Sequence, residues 1–221
     1  HNGARIYIVA RSSINYKRYM DDISDLLSRT PELASCEAEI RKASEWLIEC
    51  FDNGNKLLLC GNGGSCADCE HIAGELVKSF SRPRPLPDSL KKRLGDELSK
   101  ELHGSLPAIS LPSMIGFHTA FNNDDNPEFA FAQQVIAFGR PGDLLLAIST
   151  SGNSPNVINA AKAANAIDLR VISLTGESGG KLASLSDCPI QAPATETPRV
   201  QELHLPIYHA LCQVVENTLF P

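Results

Sequence analysis

The chain has 221 residues, of which 43% are hydrophobic and 21% charged, with a formal net charge of −6. This length and composition describe one globular domain with a substantial core. The acidic balance argues against a nucleic-acid binder relying on a broad basic surface, and no run of 18 apolar residues exists to cross a membrane.

Residues 1–19 precede the first methionine, Met20, and read as an N-terminal extension or the start of the first helix, with 20–221 as a single domain. The segment "IYIVA" near the start is too short for a membrane span. A helical stripe of Tyr16, Met20, Ile23 and Leu27 comes first. A second runs through Cys36, Ile40, Ala43, Leu47 and Phe51 and stops at the turn-forming "DNGNK". Two amphipathic helices therefore precede the first strand. Their apolar faces need a partner, which is each other, the sheet or another subunit.

Five short apolar runs follow, at 56–60, 106–111, 143–149, 169–175 and 188–193, separated by helical segments. Strands alternating with helices predict a doubly wound, five-stranded parallel sheet flanked by helices, an α/β sandwich of three layers. Ligands of such a fold sit at the carboxyl ends of the strands. Between the first two strands, residues 85–105 read as an insert carrying a charged helix near 87–103. Leu90, Leu94, Leu98 and Leu102 recur along it at every fourth position, and Gly104 marks its stop.

Glycine- and serine-rich turns fall at three strand ends. "GNGGS" (Gly61, Asn62, Gly63, Gly64, Ser65) follows the first strand, "STSGNS" the third and "TGESGG" the fourth. In the second of these, Ser154 is a good N-cap and Pro155 suits the first helical position. Ser149, Thr150, Ser151 and Ser154 supply hydroxyls, Gly152 permits close approach, and the helix N-terminus supplies free N–H groups. This is what a phosphate monoester needs. Neither a Walker loop nor a G-x-G-x-x-G turn occurs, so dinucleotide binding is not expected.

The helix after the first turn carries His71 and Glu75, about 40° apart around its axis. Glu75 could abstract a proton with His71 orienting it, both could hold a metal, or the two could be a plain surface pair. The last helix carries Gln201 and His209 two turns apart and within reach of one ligand, whereas His204 lies near the apolar stripe and reads as a core histidine. Pro206 frees the carbonyl of Glu202 and invites a kink. The seven cysteines include one C-x-x-C, Cys66 and Cys69, inside a helix. They read as small packing residues in a reducing cytoplasm.

Taken together, "CGNGGSCADCEHIAGEL", "LLAISTSGNSPNVINAA", "VISLTGESGGKLA" and "PRVQELHLPIYHALC" resemble the sugar isomerase (SIS) domain, and within it the bacterial phosphoheptose isomerases. The likeness covers about residues 15–220 outside the insert. It implies a flavodoxin-like sheet and an aldose–ketose isomerase acting on sedoheptulose 7-phosphate through an enediol. It further implies one zinc held by His71, Glu75, Gln201 and His209, with Glu75 and His209 as base and acid. Asn62, Gly63, Gly64, Ser65, Ser149, Thr150, Ser151, Ser154 and Gln201 would bind the substrate, with Asn123 and Asp124 lining the sugar site. The family assembles as a homotetramer with active sites between subunits and N-terminal helices packed across them. Lys78, Ser79, His118 and Pro198 depart from the family pattern. The end "ENTLFP" resembles a non-catalytic branch that binds the replication initiator DnaA, and a sugar-phosphate sensor is a third reading. Glu75 and His209, typically replaced in the scaffold branch, favour the enzyme.

Overall fold

The computed structural model describes residues 16–220, with side chains from Asp21 onward. The expectation for residues 1–19 therefore falls largely outside the described residues, as do the side chains of Tyr16 and Met20. In chain order the elements are α1 (Tyr16–Arg29), α2 (Glu37–Asp52), β1 (Leu57–Gly61), α3 (Gly64–Val77), α4 (Asp88–Glu101), β2 (Ala108–Ser110) and α5 (Ile115–Asp124). They continue as α6 (Ala130–Phe138), β3 (Leu144–Ile148), α7 (Pro155–Ala166), β4 (Arg170–Thr175), α8 (Gly180–Ala183), β5 (Cys188–Gln191) and α9 (Thr197–Leu219). Among the described residues no helix is long and apolar enough to cross a membrane.

The five strands form one parallel sheet in the order β2-β1-β3-β4-β5. Their near-continuous apolar character follows from burial on both faces. Leu57, Leu59, Leu144 and Leu146 turn to the side covered by α1, α2, α3 and α9. Leu58, Cys60, Leu145 and Ala147, one residue out of phase, turn to the side covered by α6, α7 and α8. At the amino ends of β1 and β3, the buried Asp143 carboxylate accepts from the backbone N–H of Lys56 and Arg140 and pairs with the Lys56 ammonium. At the opposite ends the strand order reverses between β1 and β3. A sheet of this winding opens its ligand crevice there.

One detail differs from the sequence-based expectation. The inserted helix α4 is broken at Gly95, whose φ of 78° and ψ of 172° lie outside helical space. The leucine stripe therefore does not form one continuous face, and Leu98 and Leu102 stay exposed. Helix α9 runs through Pro206 as a single element, so the freed Glu202 carbonyl does not end it. Among the described side chains of α1 and α2, Ile23, Leu26, Ile40 and Leu47 are buried within their own chain, in the cluster that includes α9.

Candidate active site

Two turns build one wall each of a cavity of about 340 Å³ at the β1/β3 crevice. After β1 the chain folds back so tightly that a Cβ at Gly61 would lie 2.8 Å from Ser65. Gly63 takes a left-handed φ of 57°, and a Cβ at Gly64 would collide with the Gln201 side chain. After β3, Gly152 has φ 65° and sits against the backbone of Gly179 and Gly180, where a side chain has no room. Asn62 and Asn156 exchange amide hydrogen bonds of 2.8 and 2.9 Å, locking the first turn to the start of α7. The backbone N–H groups of Gly176 and Leu182 donate to Thr150 O and Gly152 O, tying in the third turn.

The cavity is lined by Asn62, Gly63, Gly64, Ser65, Ser149, Thr150 and Ser154, closed by Ile148, Thr197 and Gln201. Ser154 is the N-cap of α7, but its hydroxyl makes no cap bond. It lies 3.0 Å from the Ser149 hydroxyl instead. The N-termini of α3 and α7 both end at this cavity, and their partial positive charge suits an oxyanion. Ser151 is exposed beside the cavity rather than on its wall, its Oγ accepting from the Asn153 N–H at 3.1 Å.

Helices α3 and α9 lead side by side from this cavity to a cluster of acid–base groups. His71 Nε2 lies 3.3 Å from Glu75 Oε1 and 3.5 Å from His209 Nε2. The Phe80 ring covers His209 at a centroid distance of 5.6 Å. Burial pushes the His209 imidazole below its ordinary value and keeps it neutral. On its other edge His71 Nδ1 meets Tyr208 Oη at 3.1 Å, and Tyr208 donates to Asp68 Oδ1 at 3.2 Å. Burial, followed by the Asp68 charge, pushes the Tyr208 phenol up, so it keeps its proton. Burial also raises Asp68, against the Tyr208 hydrogen bond.

A buried ion pair holds the chain just beyond Glu75. Arg84 Nε donates to Glu216 Oε1 at 2.7 Å, and both side chains are fully enclosed. Its Nη1 and Nη2 groups cap the end of α3, donating to Leu76 O at 2.6 Å and Glu75 O at 2.8 Å. Glu216 also accepts from Phe80 N, Ser81 N and Ser81 Oγ. Burial alone would raise its carboxyl, but these bonds outweigh it and hold the group below the usual range.

The structure thus gathers Asn62 through Ser65 with Ser149, Thr150, Ser154 and Gln201 in one cavity, and His71, Glu75 and His209 in one cluster. It does not bring Asn123 and Asp124 to either. They are exposed at the end of α5 and bonded to each other at 2.8 Å. His204 is a core residue, as expected, with Nε2 3.1 Å from Thr175 O. His118 lines an adjoining cavity of about 260 Å³ with Asn122 and Cys66, which shares Asn62 and Gly63 with the first. All seven cysteines are free, and burial lifts Cys69 well above an ordinary thiol, which fits packing rather than redox chemistry.

Among the described residues no group of three His, Cys, Asp or Glu side chains is arranged as it stands to hold a metal ion. The pairwise spacings nonetheless suit one. Two imidazoles on a tetrahedral zinc at about 2.0–2.1 Å stand roughly 3.4 Å apart, close to the 3.5 Å between the His71 and His209 Nε2 atoms.

Sequence reasoning missed Tyr208, Asp68, Arg84, Glu216 and Asn156. Asp68 stands three residues before His71 on α3, a spacing that shares a helix face. Arg84 carried no signal inside the proline-rich "RPRPLP".

The SIS domain model matches residues 18–105 and 105–176. The phosphoheptose isomerase of Shewanella sp. strain ANA-3 is 39% identical over 209 residues, covering 93% of this chain and 96% of the relative. The solved phosphoheptose isomerase of Neisseria gonorrhoeae is 33% identical with a TM-score of 0.71, covering 91% of this chain and 98% of that one. That of Francisella tularensis is 29% identical with a TM-score of 0.73, covering 91% and 96%.

Proposed function

The chain belongs to the phosphoheptose isomerase family of SIS-domain proteins, and we propose that it converts sedoheptulose 7-phosphate to D-glycero-D-manno-heptose 7-phosphate through an enediol. The observation that carries this reading is the spacing of cavity and cluster along α3. From Gly64 at the cavity to His71 is seven residues, about 10 Å of helix, a fair match to an opened sugar held by its terminal phosphate. The phosphate lies against the two helix N-termini with Ser149, Thr150 and Ser154. Ser65 and Gln201 flank the chain. The C1–C2 end reaches Glu75.

The Glu75 carboxylate takes the proton from one carbon of the pair and returns it to the other. Its backbone carbonyl is fixed by Arg84, which keeps the carboxylate at the reacting carbons. Neutral His209 exchanges a proton with the sugar oxygens, and Phe80 limits water at that ring. His71, Glu75 and His209 are the residues that would hold a zinc ion; Gln201, set against Gly64 in the cavity, would have to turn toward them to join as a fourth ligand. Bound there, zinc would polarise the sugar oxygens. A homotetramer belongs to the same reading. Asn123 and Asp124 are exposed and off the cavity of their own chain, which leaves them free to line a neighbour's site in such an assembly. In the C-terminal "ENTLFP" that resembles the DnaA-binding branch, Glu216 and Asn217 have packing roles here, pairing with Arg84 and donating to Asp22.

The test is NMR detection of aldoheptose product from sedoheptulose 7-phosphate, with and without zinc, for the wild type and for Glu75→Gln and His209→Ala. Product from the wild type and none from either variant is expected. Turnover surviving both substitutions would refute the mechanism.

A further inference from the structure

We infer that Tyr208 is a positioning residue that holds His71 in the tautomer protonated at Nδ1, so that the Nε2 lone pair faces Glu75 and His209. This rests on reading the His71 cluster as the reacting end of the site.

The argument is a count of protons. The Tyr208 hydroxyl has one, and it goes to Asp68 Oδ1 at 3.2 Å, because a carboxylate has none to offer. The second contact of that oxygen, to His71 Nδ1 at 3.1 Å, is then one in which the ring N–H donates. A neutral imidazole carries a single N–H, and here it is committed to Tyr208. Nε2 is left bare, 3.3 Å from Glu75 Oε1 and 3.5 Å from His209 Nε2. The partner of one imidazole nitrogen sets what the other can do.

Packing makes the arrangement rigid. Tyr208 is 1% exposed, and its ring meets His71 edge-on at 5.4 Å and 74°. Asp68 Oδ2 is buried with no partner among the described residues, so the bond to Tyr208 is what satisfies this carboxylate. Between Nε2 and the Glu75 oxygen, two acceptors face each other. Such a pair is at ease only with a proton or a cation between them, the state needed for proton exchange or for metal ligation. His209 in turn can meet the bare Nε2 only by donating from its own Nε2.

Long-range proton–nitrogen correlation spectra of metal-free, nitrogen-15-labelled protein at pH 8 test this without substrate, with His71 assigned by its loss in His71→Gln. The expected result is a protonated Nδ1 and a bare Nε2 in the wild type, moving toward Nε2–H in Tyr208→Phe. That variant keeps the ring and removes the acceptor. Its kcat and zinc affinity should each fall about 10- to 100-fold, the usual range for losing a group that orients a ligating histidine. KM should change less than about twofold, since Tyr208 does not line the phosphate cavity. A wild-type His71 protonated at Nε2 overturns the inference, as does a Tyr208→Phe spectrum with the tautomer unchanged. Should Tyr208→Phe fail to fold, the wild-type spectrum decides alone. Absence of isomerase product beside an Nδ1-protonated His71 would sink the proposed reaction and leave the role of Tyr208 standing.

Discussion

Replacing Glu216 by Gln removes the counter-charge of Arg84 and keeps the side-chain shape. The wild-type carboxylate accepts four hydrogen bonds, from Phe80 N, Ser81 N, Ser81 Oγ and Arg84 Nε. An amide has one acceptor oxygen, so at least one backbone N–H of the loop faces an NH2 group, at a cost of about 1–3 kcal/mol. The Arg84 guanidinium, fully enclosed, is left without its partner, and breaking a buried pair in this way costs about 3–5 kcal/mol in total. For a chain of this size that lowers Tm by roughly 10 °C. Urea unfolding at fixed protein concentration measures the loss, and hydrogen exchange at Phe80 and Ser81 locates it. The acid limb follows the same group. Its folded-state carboxyl is depressed, so its stabilisation is present above the unfolded value of about 4.3 and is lost as pH falls through the folded one. The reasoning is wrong if Glu216→Gln costs under about 1 kcal/mol. It is equally wrong if its effect adds to that of Arg84→Met with no coupling beyond about 0.5 kcal/mol.

Gly152→Ala should destabilise the fold by about 2–4 kcal/mol and weaken sugar-phosphate binding, because φ is positive there and a Cβ meets the Gly179 carbonyl; thermal melting and calorimetric titration check both. Ser154→Ala should weaken phosphate binding about tenfold or more through loss of one bond to a charged group, and Ser151→Ala, whose hydroxyl bonds the Asn153 N–H, should weaken it less. Equal effects in titration would move the cradle wall outward. Burial lowers the His204 imidazole. The unfolded chain therefore gains a proton first on acidification, and stability falls as pH drops below about 6.5. His204→Gln should flatten the decline between pH 7 and 5.5 by up to about 1 kcal/mol in denaturant titrations.

The sheet and its loop cradle were legible because each is written locally. Fully buried strands appear as apolar runs, and the turns after β1 and β3 need Gly and Ser for backbone reasons that do not depend on neighbours. His71 and Glu75 could be paired from helical spacing, and His204 could be assigned to the core from its place beside the apolar stripe. The order β2-β1-β3-β4-β5 was not legible from the residues themselves, since strands apolar on both faces do not name their neighbours. Arg84 sits in a proline-rich stretch that resembles a linker, and its partner lies 132 positions further on. Only the tertiary fold makes the two one unit. At Gly95 the leucine spacing promised a continuous helix, and a residue free to take positive φ interrupted it.

Helix α9 serves the cavity through Thr197 and Gln201, the cluster through Tyr208 and His209, the loop clamp through Glu216 and α1 through Asn217. These tasks lie on different sides of one rigid rod, so its length between them is as constrained as its side chains. One residue added or removed between Gln201 and Glu216 would turn everything beyond it by about 100° and shift it about 1.5 Å. Tyr208, His209 and Glu216 cannot then all meet their partners while Gln201 stays at Gly64. Substitutions along α9 can accumulate singly, whereas an insertion or deletion there would disable substrate handling and folding together.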